Sequence, residues 1–235
     1  MKPSPLQAAP LSKPLAALVL AFLFAFSGPA SAGIDEDELV TKSHYTVERV
    51  AKDADVGPNV RSLIRRAKAV MIFPNVLKGA FFFGAEGGNG VLVARNAQGD
   101  WGYPAFYTMG SASFGLQIGG QSQEILLLIM SERGLSSVLH NEVKLGADIS
   151  VAAGPMGIGA EASTTTNLRA DIYSFSVNQG AFIGASVEGA VIHPRDNKNH
   201  NYYGDKKATP ESIVLKALHQ NDQANKLRNS LKKLQ

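Results

Sequence analysis

The sequence predicts an α+β fold: a mainly antiparallel, barrel-like β-sheet of about ten short strands, with flanking N- and C-terminal helices. Three observations predict it. Between Ala69 and Ile192 apolar residues fall into short runs or alternate with period two, as strands do. Glycine, with 23 copies in 235 residues, punctuates those runs, which suits tight turns or closely packed strands. On either side of this region the apolar spacing lengthens to that of an amphipathic helix.

The first residues stand apart from the fold. Lys2 and Lys13 precede the apolar run "PLAALVLAFLFAFSG", and Ala30-Ser31-Ala32 follows it. This pattern reads as a secretory signal over residues 1–32, cleaved after about Ala32. The alternative is a retained membrane anchor, but the run breaks at Gly28-Pro29 and has no stop-transfer charge cluster. The absence of cysteine excludes a lipid-modified N-terminal cysteine and any disulfide framework. The expected localisation is export, to the periplasm or the outer-membrane face. Removing Lys2 and Lys13 leaves 21 basic against 20 acidic residues, so the mature chain is nearly neutral and makes no general case for nucleic acid.

Residues 33–68 read as an N-terminal helical segment. In residues 35–55, Leu39, Val40, Val47, Val50 and Ala54 share a helical stripe, and Asp35, Glu36 and Asp37 suit the positive N-terminus. Gly57-Pro58 breaks this helix. A second, over residues 59–68, would bury Val60, Leu63, Ile64 and Ala67 and carry Arg61, Arg65, Arg66 and Lys68 on its other faces.

Residues 69–204 read as the β-rich core. "AVMIF" stops at Pro74, and "GAFFFG", "GVLVAR" and "WGYPAFYTM" follow, with a hairpin turn through Gly99. The glycines at 84, 87, 88 and 90 are expected to supply the positive φ of a strand-to-strand turn, with Phe81 and Phe83 on one face and Phe82 on the other. "SFGLQIGG" and "QEILLLIM" continue the series. A helix capped by Ser131 would then bury Leu135, Val138 and Leu139. "DISVAAG", "GIGAEAS", "ADIYSFSV" and "AFIGASVEGAVI" complete the strands, and "HPRDNKNHNYYGDKKA" reads as a solvated loop.

Residues 205–235 read as a basic helical segment. Thr209 caps a helix that opens with Pro210 and packs Val214, Leu215 and Leu218 inward. Leu227, Leu231 and Leu234 then form a stripe among Lys226, Arg228, Lys232 and Lys233. That stripe can lie in a membrane interface or dock on the sheet. From Lys206 to the end there are seven basic and two acidic residues.

Catalytic patterns are thin. The Gly-rich stretch lacks Gly-Lys-Ser/Thr and leads into a strand rather than a helix, so it fits neither phosphate-loop template, and Glu86 would repel phosphate. His193, Asp196 and His200 could form a weak metal site, although a solvated polar loop is the ordinary reading. Asp148, Glu161, Asp171 and Glu188 are spaced as outward or turn-capping carboxylates rather than as an acid/base couple. No enzyme activity, cofactor or bound metal is expected.

The segments "AKAVMIFPNVLKGAFFFGAEGGNGVLVARN", "GDWGYPAFYTMGSASFGLQIGGQSQEILLLIM", "LGADISVAAGPMG", "IYSFSVNQGAFIGASVEGAVI" and "NYYG" closely resemble the SYLF domain, also called the Ysc84 family. The resemblance runs from roughly Ala67 to Gly204 and more weakly through the flanking helices. It implies lipid binding: eukaryotic members bind phosphoinositides, helped by an amphipathic helix before the domain, and some bundle actin. The corresponding helical region here is about Glu38 to Lys68. Glu86 stands where eukaryotic relatives often carry a basic residue, and the SH3 or FYVE modules of some relatives are not found in these residues.

The expected function is therefore non-enzymatic binding of anionic phospholipid at an envelope membrane. The candidate lipid-binding residues are Arg61, Arg65, Arg66, Lys68, Lys226, Arg228, Lys232 and Lys233. The alternative is a structural envelope protein that recruits a protein partner through the Leu227–Leu234 stripe.

Overall fold

The first helix, α1 (Glu36–Lys52), begins where Asp35 accepts a hydrogen bond from the Asp37 amide, with three acidic residues in its first turn. The computed structural model describes residues 35–80, 83–114, 119–140, 142–154, 170–178, 181–184 and 187–235. The leader at 1–32, Phe81, Phe82 and the "GIGAEAS" segment lie outside these residues. Leu39, Val40, Val47 and Val50 are buried as the spacing requires. The helix ends at Lys52, and Gly57-Pro58 opens the next one, α2 (Gly57–Ile64), with proline in its first turn.

The sheet follows: β1 (Ala69–Ala80), β2 (Phe83–Ala94), β3 (Ala105–Phe114), β4 (Gly119–Ile129), β5 (Val143–Lys144), β6 (Val151–Ala153), β7 (Ile172–Asn178), β8 (Ala181–Gly184) and β9 (Val191–Pro194). The nine strands run in the order β5-β9-β3-β2-β1-β4-β7-β6, with β8 also paired to β7. Every pairing is antiparallel except that of β6 with β7. The result is a curled half-barrel with open edges.

The first four strands are longer than their sequence suggests. β1 passes straight through Pro74, and β2 passes straight through the glycine run that was expected to turn. Pro74 has no N–H to give a neighbouring strand, yet β1 is central. The chain resolves this with a bulge: the register slips between Ile72 and Asn75 against β2, and between Phe73 and Val76 against β4. Beside the bulge, β1 and β2 approach closely. A Cβ at Gly90 would lie 2.5 Å from the Ile72 carbonyl oxygen and closer still to the Phe73 ring. One at Gly88 would lie 3.0 Å from Val76 Cα and nearer the Asn75 oxygen. These glycines serve close backbone approach. Among the described residues the positive-φ glycines are Gly99, Gly146, Gly189 and Gly204. Gly99 makes the expected hairpin turn, its amide donating to the Asn96 carbonyl.

Both faces of the sheet are covered. Ala69, Met71, Phe73, Leu92, Tyr107, Ile125, Leu127 and Ile129 join one core with Leu135, Val138 and Leu139 of α3 (Glu132–His140). Alternate residues Val70, Ile72, Val91, Val93, Leu126 and Leu128 are equally buried on the opposite face. Burial on two sides explains why these strands read as continuous apolar runs. Ser131 caps α3 as expected, its hydroxyl accepting from the Gly134 amide and donating to Asp171. Burial alone would raise the Asp171 carboxyl, but hydrogen bonds from Ser131, Ser150 and Arg133 outweigh it and hold the group below its ordinary range.

The C-terminal third differs most from expectation. Residues 196–203 form a helix, α4 (Asp196–Tyr203), rather than a solvated loop. Lys198, Asn199 and Tyr202 are buried, and Asn199 Oδ1 accepts from the Phe106 amide at 2.8 Å. The next helix, α5 (Pro210–Val214), has the expected Thr209 cap, completed reciprocally by Ser212. It stops after five residues. Ile213 and Val214 enter the core, whereas Leu215 and Leu218 stay 54% and 68% exposed. The last helix, α6 (Asn225–Lys233), packs against α1 and buries Leu227, Leu231 and, just beyond, Leu234. The leucine stripe is thus a docking face, not a free one.

Two predictions follow from this packing. Gly90→Ala should lower unfolding stability by about 1–3 kcal/mol in urea titration. Gly110→Ala, whose Cβ would meet nothing nearer than 3.8 Å, should stay within about 1 kcal/mol of the parent. Because the folded-state pKa of Asp171 is depressed, its contribution is present above the unfolded value and is lost as pH falls below about 4. Acid titration of stability should show that loss in the parent and not in Asp171→Asn.

Candidate functional site

The eight basic residues singled out in the sequence separate into those occupied within the fold and those facing outward. Arg61 Nη1 donates to the Ala51 carbonyl at 2.6 Å, closing the end of α1. Lys68 pairs with Glu132 at 2.8 Å. The Arg228 guanidinium lies 4.1 Å over the Tyr103 ring, and its Nε donates to the Trp101 carbonyl at 2.9 Å. These three are engaged within the fold, although the Lys68–Glu132 pair is solvent-exposed and contributes little. Arg66, Lys226 and Lys233 are exposed. Lys232 is also exposed and reaches Asp100 only at 3.8 Å, an arrangement that contributes little.

Arg65 joins the two groups. Its Nε donates to the Gln235 carbonyl at 2.9 Å across 170 positions of chain. The end of α2, with Arg65 and Arg66, is therefore seated beside the end of α6, with Lys232 and Lys233. Two basic segments that look unrelated in sequence form one surface at the end of the sheet where β2 turns into β3.

Arg95, which no sequence pattern marks, organises this end. Its Nη2 donates to the Ile64 carbonyl at 2.9 Å, Nε to the Ala67 carbonyl at 3.0 Å, and Nη1 to the Gly99 carbonyl at 2.7 Å. Its guanidinium also lies 4.3 Å over the Trp101 ring. Desolvation lowers its pKa from the usual arginine value. Two of these bonds are to carbonyls at and just after the end of α2, where a cation is favoured by the helix dipole.

Elsewhere the polar groups are committed. A cleft of about 390 Å³ between α1 and α6 is lined by Thr41, His44, Tyr45, Gln223 and Lys226, among others. Gln223 already donates to Asp37 O and Thr41 Oγ1 and accepts from Tyr202. His44 meets Ser230 Oγ at 2.7 Å. Burial is the main cause that lowers its pKa; Glu48 opposes the shift, while Lys226 and Lys233 add to it. Glu86 accepts from Gln123, so the glycine-rich strand carries an engaged carboxylate and no phosphate cradle. His193 faces Glu142 at 3.5 Å, while Asp196 and His200 belong to α4. Among the described residues no three His, Cys, Asp or Glu side chains converge as a metal site. Of the spaced carboxylates, Asp171 is structural and Glu161 lies outside the described residues. No helix among the described residues is long and apolar enough to cross a membrane.

A half-barrel covered on both faces, with exposed Arg65, Arg66, Lys232 and Lys233 near one end, is the build of an α+β module that presents a surface. The family model described as "Ysc84: Las17-binding protein actin regulator" matches residues 110–234, and the chain belongs to this family. It is 36% identical over 146 residues to Protein YSC84 of Saccharomyces cerevisiae, covering 61% of this chain and 31% of that protein. It is 33% identical over 156 residues to LAS seventeen-binding protein 3 of the same yeast, covering 65% and 33%. With human SH3 domain-containing YSC84-like protein 1 it shares 28% over 142 residues, covering 60% and 41%. The chain thus spans a third to two fifths of these relatives. One relative is named for binding LAS seventeen, and the family description names an actin regulator. The family match includes α6, which places the C-terminal basic helix within the family's own region.

Arg95→Ala should cost about 2–4 kcal/mol, because it strands carbonyls of three segments together. Arg95→Lys should recover little of this in urea unfolding, since an ammonium cannot reproduce the planar fork.

Proposed function

We propose that this protein binds anionic phospholipid without catalysing a reaction, and that the joined surface of Arg65, Arg66, Lys232 and Lys233 makes the contact. The observation that carries the reading is the Arg65–Gln235 hydrogen bond, which gathers exposed cations from both ends of a nearly neutral chain. Concentrated charge on one surface draws a protein to an anionic bilayer even when net charge is small, with each well-placed cation worth about 1 kcal/mol. Arg61, Lys68 and Arg228 are assigned to folding rather than to lipid. The basic start, apolar run and Ala30-Ser31-Ala32 end of residues 1–32 support export, with the lipid met in the cell envelope. A second reading, recruitment of a protein partner, draws support from the relatives named for binding Las17.

Vesicle co-sedimentation tests the first reading. The chain from Gly33 onward should bind phosphatidylglycerol or cardiolipin vesicles at low salt and release them as salt rises. Replacing Arg65 and Arg66 together by Ala should weaken binding by roughly tenfold or more at low salt. No binding to either vesicle at low salt overturns the lipid reading; unchanged affinity in the variant moves the site elsewhere.

A further inference from the structure

The loop after α5 exposes apolar surface that the sheet does not use. Leu215 and Leu218 are 54% and 68% exposed, although both Ile213 and Val214 immediately before them are buried. Backbone bonds hold the loop in shape: Leu215 N donates to Glu211 O, and Leu218 N donates to Ser212 O at 3.0 Å. Ala217 sits at φ 50°, the one positive-φ non-glycine residue among those described. A left-handed alanine is disfavoured, and here it accompanies leucines turned outward.

Cations flank this loop along the chain. Lys206 and Lys207 are exposed in the turn before α5, and Ser212 Oγ bonds the Lys207 carbonyl at 3.2 Å. The His219 ring stands 3.7 Å from Asp205. Lys216 is exposed and pairs with Glu211 at 3.0 Å. Asp205 and Glu211 are thus faced by partners, while Lys206 and Lys207 are exposed and form no ion pair among the described residues.

A path of contacts connects the loop to the basic surface. His219 packs against Tyr203 with ring centroids 5.6 Å apart, and the Tyr203 hydroxyl donates to the Pro104 carbonyl at 2.7 Å. The neighbouring Tyr103 lies under Arg228, which bonds Trp101, and Asp100 meets Lys232. The loop and the cations therefore border the same β2–β3 connection.

We propose that Leu215 and Leu218 insert into the interfacial region of an anionic bilayer, with Lys206, Lys207 and Lys216 seated on its head groups. The inference rests on the lipid reading and adds the apolar element that the reading lacks. Two leucines on a convex loop offer far less than the roughly 800 Å² per partner of a stable protein interface. Apolar tips ringed by ammonium groups match a surface with anionic heads above hydrocarbon.

The test uses the full chain carrying Leu218→Trp, with phosphatidylglycerol vesicles brominated in their acyl chains. Trp101, the native tryptophan, is 3% exposed and gives a constant background. The new indole should shift to shorter wavelength and be quenched by bromine. Adding Leu215→Ser should raise the lipid needed by roughly tenfold. Leu77→Trp, at an exposed strand position, should not be quenched. Unquenched Leu218→Trp on protein that co-sediments overturns the insertion while leaving lipid binding intact. Failure to co-sediment overturns both. If Leu218→Ser instead abolishes self-association in size-exclusion chromatography and leaves vesicle binding unchanged, the loop covers a second copy and the insertion is overturned.

Discussion

One guanidinium closes the end of the sheet on which the outward cations depend. Arg95 follows the last residue of β2 and reaches the carbonyls of Ile64, Ala67 and Gly99, while Trp101 stacks beneath it. It therefore fixes the end of α2, the hairpin turn and the side of the sheet that receives α6 through the Trp101 carbonyl. Hydrogen bonds from a charged donor contribute about 1.5–3 kcal/mol each, and the carbonyls they serve would otherwise lie partly desolvated. Together with the buried Leu227, Leu231 and Leu234 of the docked α6, this clamp helps to keep Arg65 beside Gln235.

The second constraint is steric. A proline in a central strand is accommodated by a bulge, and beside it Gly88 and Gly90 of β2 lie so near β1 that a Cβ at either would clash. Gly88 and Gly90 are thus fitted to β1 beside the Pro74 bulge, while a Cβ at Gly87 would meet only Met109 of β3, at 3.4 Å. The close approach needs no ligand to account for it, and the engaged Glu86 of the same strand gives an incoming phosphate nothing to bind.

Much of this was legible in the sequence, and the failures have physical causes. The helical stripe of α1, the Ser131 and Thr209 caps and the Gly99 turn depend on local spacing and local hydrogen bonds, so they read directly. Pro74 and the glycines at 84–90 were read as stops because such residues usually punctuate; their meaning here depends on pairing with a strand that local sequence cannot reveal. α4 was missed because its buried groups include Lys198 and Asn199, polar residues whose partners, Glu36 and Phe106, lie far away in the chain. The candidate site was half legible. Charge can be counted from sequence, but its commitment cannot: nothing local distinguishes Arg228, locked on Tyr103 and Trp101, from Lys233, which remains outside.

The same distinction bears on how such a fold can meet a bilayer. The family resemblance implies an amphipathic helix ahead of the domain, and α1 with α2 occupies that place. Yet Leu39, Val40, Val47 and Val50 are 0–1% exposed, and Ser230 of α6 bonds both His44 and Glu48 of α1. To insert its apolar face, α1 would have to leave the sheet and α6, giving up about 1.5–3 kcal/mol for each large side chain it now buries. A bilayer returns a similar amount, so the exchange yields little while opening the core. Groups already outside pay no such penalty. On the lipid reading proposed above, the cations beside Gln235 and the leucines after α5 would engage a membrane with the fold intact, which favours the periphery of the β2–β3 connection over the apolar face of α1.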